Sequence, residues 1–145
     1  MRHEIFIHIM FSTKSRRPMI PDDMKERLWT HLESICKEDK IGVHATGGTT
    51  NHVHLLVEPP PTLSMDEMVL KIQAKSSEWM NRQVDNNFAW QEGYGACSIS
   101  KSSVKPVVKY ILNQEQYHAT RTYEEEFLAF LKENRIPYDP QDVFG

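Results

Sequence analysis

Two histidines one residue apart interrupt a hydrophobic run in the stretch TNHVHLLVE, residues 50–58. Alternate residues of a strand point to opposite faces, so His52 and His54 share one face while Val53, Leu55 and Val57 form the other. Two imidazoles at this spacing can ligate one divalent ion and leave coordination positions for oxygen ligands. The pair alone is a weak signal, because hydrogen-bonded or surface histidines explain it equally well.

A second pair of chemically useful side chains lies downstream in KYILNQEQYH. Tyr110 and Gln114 stand at i and i+4, so a helix would present the phenol and the amide on one face, about 6 Å apart at their Cβ atoms. If this helix lies across the strand face that carries the histidines, all four side chains meet.

The elements that must position these residues follow from periodicity and capping signals. Ile5, Ile7, Ile9 and Phe11 recur with period two, which indicates a strand. Ser64 with Glu67 and Thr122 with Glu125 are capping boxes that mark two helix starts. The pattern predicts strands over about 3–12, 41–47, 52–58 and 93–100, and helices over about 21–39, 64–83, 105–118 and 122–134.

The order of the first six elements predicts an α+β fold of the ferredoxin-like or RRM-like type, an antiparallel sheet with two helices on one face. In that fold the first and third strands are central neighbours. The other sheet face would carry His8, His44, His52 and His54 among apolar residues, which is too apolar to stand in water and too polar for a dry core. We therefore expect the helix at 105–118 to cover it.

Length and composition fit one domain over residues 1–145 with an irregular tail at 135–145. The chain is 39% hydrophobic and has a net charge of -3. It shows no secretory signal and no membrane-span-length apolar run, and its two cysteines suit a reducing cytoplasm, so a cytoplasmic location is expected.

Positive charge is nevertheless concentrated in two segments. Residues 115–145 hold three Lys/Arg against seven Asp/Glu, which leaves 14 against 13 in residues 1–114. The segments TKSRRP and SKSSVKPVVK are locally basic and could meet phosphates, although solvated charge is the commoner explanation of either one alone. The candidate DNA-contacting residues are Lys14, Arg16, Arg17, Lys101, Lys105 and Lys109.

The motifs HVH and YILNQ together resemble the single-tyrosine HUH transposases of the insertion-sequence 200/605 family. The segments FAWQEGYGACSISKS and EEFLAFLKENRIPYD are also similar to that family's sequences, so the resemblance covers nearly the whole chain. It implies an enzyme that cuts and rejoins single-stranded DNA at hairpin-marked ends. The combination is far more specific than either motif alone.

The resemblance also implies roles for individual residues. His52, His54 and Gln114 match the ligands of a Mg²⁺ or Mn²⁺ ion, and Tyr110 matches the nucleophile that forms a covalent 5′-phosphotyrosine. It further implies a homodimer in which the tyrosine helix of one subunit serves the histidines of the other. Spacing in the sequence leaves open whether Tyr110 acts in its own subunit or in its partner.

Alternatives remain open at this point. Tyr117 lies seven residues after Tyr110 and is a rival nucleophile, and His8 or His44 could replace Gln114 as a ligand. A domesticated relative that nicks repeated hairpins would have the same sequence features. A non-catalytic nucleic-acid-binding module would make the histidines incidental, although no aromatic RNA-binding strand pattern is present. A metal hydrolase is weaker, since it leaves Tyr110 and Gln114 without a role.

Overall fold

The computed structural model of the protein describes residues 4–84 and 87–144. Residue 3, at the start of the first predicted strand, and residue 145, at the end of the predicted tail, lie outside these ranges. Four antiparallel strands form one sheet in the order β2-β3-β1-β4, with β1 at Phe6–Ser12, β2 at Gly42–Gly48, β3 at His52–Glu58 and β4 at Gly95–Ile99. The α+β sheet predicted from the sequence, with the first and third strands central, is confirmed.

Two helices cover the first face of the sheet, α1 at Lys25–Glu38 and α2 at Met65–Gln83. Ser64 caps α2 through the expected capping box with Glu67. Their apolar stripes pack on the strand residues that alternate with the histidines, so burial of large aliphatic side chains fixes which way each strand faces. The main contributors are Ile9, Phe11, Leu28, Leu32, Val53, Leu55, Val57, Met68 and Ile72.

The second face is covered by α3 at Val104–Leu112, a single turn α4 at Gln114–Tyr117, and α5 at Tyr123–Glu133. From α3, Ile111 packs on Leu56, and from α5, Phe130 and Leu131 pack on Met10. The sequence placed only the 105–118 helix on this face. The contribution of α5 is a finding of the structure.

The prediction of one continuous helix over 105–118 is wrong in one detail. The helix ends at Leu112, and Asn113 leaves the helical region with φ -107° and ψ 26°. The Asn113 amide donates to the Tyr110 carbonyl at 3.2 Å, which tightens the last turn before α4 begins. Gln114 therefore lies in a different helix from Tyr110, yet both side chains still point toward the sheet.

After Glu133 the described chain forms turns and irregular segments without a helix or strand. Ile136, Tyr138 and Val143 fold back against the cluster around Phe130, so this tail reinforces the packing of α5. No helix within residues 4–84 and 87–144 is both long and apolar enough to cross a membrane.

Gly47 on β2 allows the end of α3 to approach the sheet closely. A Cβ atom at this position would lie 2.2 Å from the carbonyl oxygen of Ile111, which belongs to the backbone and cannot rotate away. Gly42 on the same strand is different, because a Cβ there would come no closer than 3.3 Å to the Glu58 side chain and 3.9 Å to the Glu58 carbonyl oxygen.

We predict that Gly47→Ala destabilises the protein by about 1–3 kcal/mol, because α3 must move away from β2. Gly42→Ala, the matched control, is expected to change stability by no more than about 0.5 kcal/mol. Urea unfolding of both variants measures this difference. Equal effects of the two substitutions would contradict the close contact.

Candidate active site and metal centre

His52 and His54 are both completely buried on the second sheet face. Their Nε2 atoms lie 3.3 and 3.2 Å from the same carboxylate oxygen, Oε1 of Glu126. His118, which follows α4, approaches that oxygen with its own Nε2 at 2.9 Å. Three imidazoles from two separate parts of the chain therefore converge on one atom.

The second carboxylate oxygen of Glu126 carries the remaining contacts of the cluster. It accepts a hydrogen bond from the Tyr110 hydroxyl and another, at 3.1 Å, from the Gln114 amide nitrogen. Glu126 is only 2% exposed, so these partners replace its water shell. The tyrosine and glutamine singled out in the sequence thus meet the histidine pair through a residue that the sequence reasoning missed.

A signal for Glu126 was present in the sequence. It lies three residues after Tyr123 and four before Phe130, both buried, so helical spacing sets it on the apolar side of α5. A carboxylate on a buried stripe is seldom left unpaired, and it indicates a polar site beneath the helix. The neighbouring Glu124 and Glu125 obscure this signal.

The charges of the cluster are strongly coupled. Burial by itself would raise the pKa of Glu126, but hydrogen bonds from His118, His52 and His54 outweigh it and hold that pKa well below its usual range. Burial and the adjacent Glu126 charge together raise the pKa of Tyr110. The resting site therefore combines an ionised carboxylate with a protonated tyrosine.

The tautomer of His52 follows from its hydrogen-bond partners. Its Nδ1 lies 2.9 Å from Oδ1 of Asn51, whose amide nitrogen in turn donates to the Arg16 carbonyl at 3.3 Å. Because Oδ1 can only accept, Nδ1 of His52 carries a proton. Its Nε2 faces two further oxygens, Oε1 of Gln114 at 2.7 Å and Oε1 of Glu126 at 3.3 Å, and burial lowers the pKa of His52.

His118 has the same arrangement. Its Nδ1 lies 2.6 Å from the Arg121 carbonyl, which only accepts, so Nδ1 carries a proton and Nε2 faces Glu126. Burial lowers the pKa of His118, but the hydrogen bond and charge of Glu126 outweigh burial and leave that pKa raised.

The donor set fits a divalent cation. Because the Gln114 amide nitrogen donates to Glu126, its oxygen points the other way, 2.7 Å from Nε2 of His52 and 3.1 Å from Nε2 of His118. Imidazole nitrogens, an amide oxygen and a carboxylate thus converge, the mixed nitrogen and oxygen donor set that suits Mn²⁺ or Mg²⁺ once the protons on Nε2 are released. His52, His118 and Glu126 offer ligand atoms that all lie within 4.8 Å of one another.

His8 and His44, considered as substitute ligands, lie in different surroundings. The Nε2 atom of His8 is 2.9 Å from Nδ1 of His54, so it bonds the side of that ring turned away from Glu126. His44 lies at a bulge between Val43 and Ala45 of the edge strand β2 and pairs with Glu58 at 2.8 Å, outside the cluster.

Tyr117, the rival nucleophile, is adjacent but oriented differently. Its ring lies 5.4 Å from that of Tyr110, centroid to centroid, and its hydroxyl accepts a hydrogen bond from Arg121 at 3.4 Å. Of the two tyrosines, Tyr110 is the one that bonds Glu126.

The basic residues suggested for DNA contact divide into two groups. Arg16 is engaged internally, donating to the Phe144 carbonyl at 3.0 Å and lying 3.5 Å from the Glu124 carboxylate. Lys101 is exposed and pairs with Glu4 at 2.9 Å. The other four side chains are exposed at the surface: Lys14, Arg17, Lys105 and Lys109.

Several clefts border the cluster, two of them on the side of Tyr110 or His118. One of about 600 Å³ is lined by Tyr110, Tyr117, Arg121 and Glu126, among others. The other, of about 730 Å³, runs along residues 49–51 and His118. Both are large enough for a ligand of nucleotide size.

The fold and site describe a ferredoxin-like protein with a histidine pair on the third strand and a tyrosine on a covering helix. The family model of the IS200-like transposases matches residues 1–114, so the chain belongs to that family. This confirms the resemblance seen in the sequence. The family is one of DNA-cleaving transposases.

Curated relatives and solved structures agree with this assignment. The transposases for insertion sequence element IS200 from Salmonella typhimurium and Salmonella typhi are each 25% identical over 114 residues, which is 74% of this chain and 74% of theirs. The fold is similar to that of a candidate transposase from Deinococcus radiodurans R1, with a TM-score of 0.64, 20% identity and coverage of 79% of this chain and 93% of that one. A REP-associated tyrosine transposase bound to a REP hairpin gives a TM-score of 0.61 at 14% identity, over 81% and 72% of the two chains.

The buried His8 generates a prediction for the metal-free protein in EDTA. Burial and the neighbouring His54 lower the pKa of His8 from 6.5 to about 3. Between these values the unfolded chain binds a proton that the folded chain does not, so stability falls as pH drops through this window. We predict that the free energy of unfolding falls between pH 7 and pH 4.5 by about 2 kcal/mol less in His8→Gln than in wild type.

Urea unfolding at both pH values measures the difference, with His44→Gln as the control at an exposed histidine. Parallel losses in wild type and His8→Gln would contradict the buried, neutral state of His8.

Proposed function

We propose that the protein is a transposase that cleaves and rejoins single-stranded DNA at hairpin-marked ends through a covalent 5′-phosphotyrosine on Tyr110. The observation that carries this proposal is the meeting of Tyr110, Gln114 and the histidine pair on the carboxylate of Glu126. A nucleophile and a polar cation-binding pocket at one point are what phosphoryl transfer requires.

The proposed reaction is a transesterification. The Tyr110 oxygen forms a bond to the scissile phosphorus as the bond to the 3′ oxygen breaks, and the tyrosine proton is balanced by protonation of the released 3′-hydroxyl. The 5′-phosphotyrosine conserves the ester bond, so attack by a 3′-hydroxyl can rejoin strands without ATP. Reversal of the same step frees Tyr110.

We propose His52, His54 and Gln114 as ligands of a Mg²⁺ or Mn²⁺ ion. The bound ion would polarise the phosphate and stabilise charge on its oxygens. The protein's contribution is positional: His52 and Gln114 are buried and held against each other at 2.7 Å, so little reorganisation is needed before reaction.

Glu126 holds the attacking group before DNA arrives. Its hydrogen bond fixes the phenol of Tyr110, and its charge helps to keep the hydroxyl protonated by raising the pKa. The hydroxyl also faces the cleft of about 600 Å³, where the ring of Tyr117 with Arg121 over it offers a surface on which an unpaired base could stack.

Hairpin-bearing single-stranded DNA is the proposed substrate. Support comes from the family membership and from the similar fold of the REP-associated transposase bound to a REP hairpin. The exposed Lys14, Arg17, Lys105 and Lys109 are proposed to contact phosphates, with Lys101 in addition. Arg16 is a weaker candidate because its guanidinium already bonds Phe144 and Glu124.

A homodimer is proposed from the family resemblance. The single chain already brings its own Tyr110 within hydrogen-bond reach of the carboxylate that meets its own histidines. This supports a site that assembles within one subunit, whereas the exchange of tyrosine helices between subunits rests on the resemblance alone.

The central test uses labelled single-stranded DNA from the flanks of the protein's own reading frame, with Mn²⁺ or EDTA, on denaturing gels. We predict a covalent adduct that requires Mn²⁺, disappears in Tyr110→Phe and persists in Tyr117→Phe. Tyr117 is the matched control because its ring is the neighbouring phenol in the same cleft.

An adduct that survives in Tyr110→Phe would refute the assignment of the nucleophile. DNA binding without any adduct in wild type would favour the non-catalytic binding module. Cleavage only at dispersed genomic hairpins, and not at the protein's own flanks, would favour a domesticated nickase.

The phosphate-contact proposal predicts a salt effect. Lys109→Ala is expected to weaken single-stranded DNA binding and to reduce the slope of log K against log salt by about 0.7, the value for one lost phosphate contact. Lys37→Ala on α1, across the sheet, removes the same charge and serves as control. Identical slopes for the two variants would exclude Lys109 from the DNA interface.

A further inference from the structure

We infer that Glu126 and His118 are additional ligands of the divalent ion, so that the metal centre extends beyond His52, His54 and Gln114. This inference rests on the proposed function, because it enlarges the ligand set proposed there. It also gives Glu126 two roles, since one carboxylate oxygen faces the ligands while the other holds Tyr110.

The spacing of the candidate donor atoms supports this set. Neighbouring ligands in an octahedral shell of radius about 2.1 Å lie about 3 Å apart. The distances from Oε1 of Glu126 are 2.9 Å to Nε2 of His118 and 3.3 Å to Nε2 of His52. The Gln114 oxygen is 3.1 Å from Nε2 of His118. These atoms are therefore already separated as ligands of one ion would be.

The proton positions of the rings support it as well. Metal-binding histidines almost always donate the other ring N–H to a carbonyl or carboxylate, which fixes the tautomer. His118 does this through the Arg121 carbonyl, and His52 through the Asn51 side chain.

The chemistry of the enlarged set favours one class of ion. A buried carboxylate adds the negative charge that histidines and an amide lack, and carboxylate oxygen suits hard cations. The imidazoles move the preference away from Mg²⁺, whose ligands are mainly oxygens, and toward Mn²⁺. Through Glu126 the ion and the nucleophile are attached to the same side chain.

The test measures Mn²⁺ binding to the full-length protein without DNA, by the loss of the free-ion signal in electron paramagnetic resonance. Glu126→Gln and His118→Asn are each expected to weaken Mn²⁺ binding at least about tenfold, because even the loss of an outer hydrogen-bond partner of a metal ligand costs that much. Glu133→Gln, exposed on the same helix, and His44→Asn, outside the cluster, are controls expected to bind as wild type does. Circular dichroism melting shows whether each variant is folded. If Glu126→Gln does not fold, His118→Asn, at the rim of the site, tests the inference.

Wild-type affinity in a folded Glu126→Gln or His118→Asn protein would overturn the assignment of that residue, as would the absence of Mn²⁺ binding in wild type. The adduct assay separates this result from the proposed function. An adduct with unaltered Mn²⁺ affinity in both variants would leave the transposase and remove the extended metal centre. Mn²⁺ binding that depends on Glu126, without a covalent DNA adduct in wild type, would support the extended metal centre and contradict the proposed transposase.

Discussion

The site depends on the burial of one negative charge. An isolated carboxylate moved into a protein interior is costly, and removing the partners of a buried charge costs about 3–5 kcal/mol. Glu126 avoids this cost because three imidazoles, an amide and a phenol surround its two oxygens. These partners come from β3, α3, the single turn α4 and the residue that follows it, so satisfying this one group fixes the positions of β3, α3, α4 and α5 relative to each other.

The rest of the fold supports that arrangement with apolar packing. Alternation along β3 sends Val53, Leu55 and Val57 into the core under α1 and α2, which leaves His52 and His54 on the opposite face. The second face is then closed by the apolar sides of α3 and α5. Arg16 bonds the Glu124 carboxylate at the start of α5 and the Phe144 carbonyl in the tail. A residue that the sequence suggested as a DNA contact therefore has a structural role in the free protein.

Much of this was predictable because it depends on local patterns. Strand alternation located the histidine pair, capping boxes located α2 and α5, and the element order gave the sheet topology. What was missed depends on contacts distant in sequence: Glu126 lies 72 residues after His54, and no spacing rule joins them. The break at Asn113 was also hidden, since the sequence around it has good helical periodicity. His118 received no role from the sequence, because its contact with Glu126 depends on where α5 packs.

The buried carboxylate of Glu126 joins the proposed metal ligands to the proposed nucleophile. The most direct measurement is a crystal structure of the protein soaked in Mn²⁺, with the ion located by its anomalous scattering. We predict one strong peak within about 2.3 Å of a Glu126 oxygen and of Nε2 of His52, with the other Glu126 oxygen still bonded to Tyr110. A peak bound by the histidine pair and Gln114 with Glu126 turned away, or no peak at this face of the sheet, would contradict it.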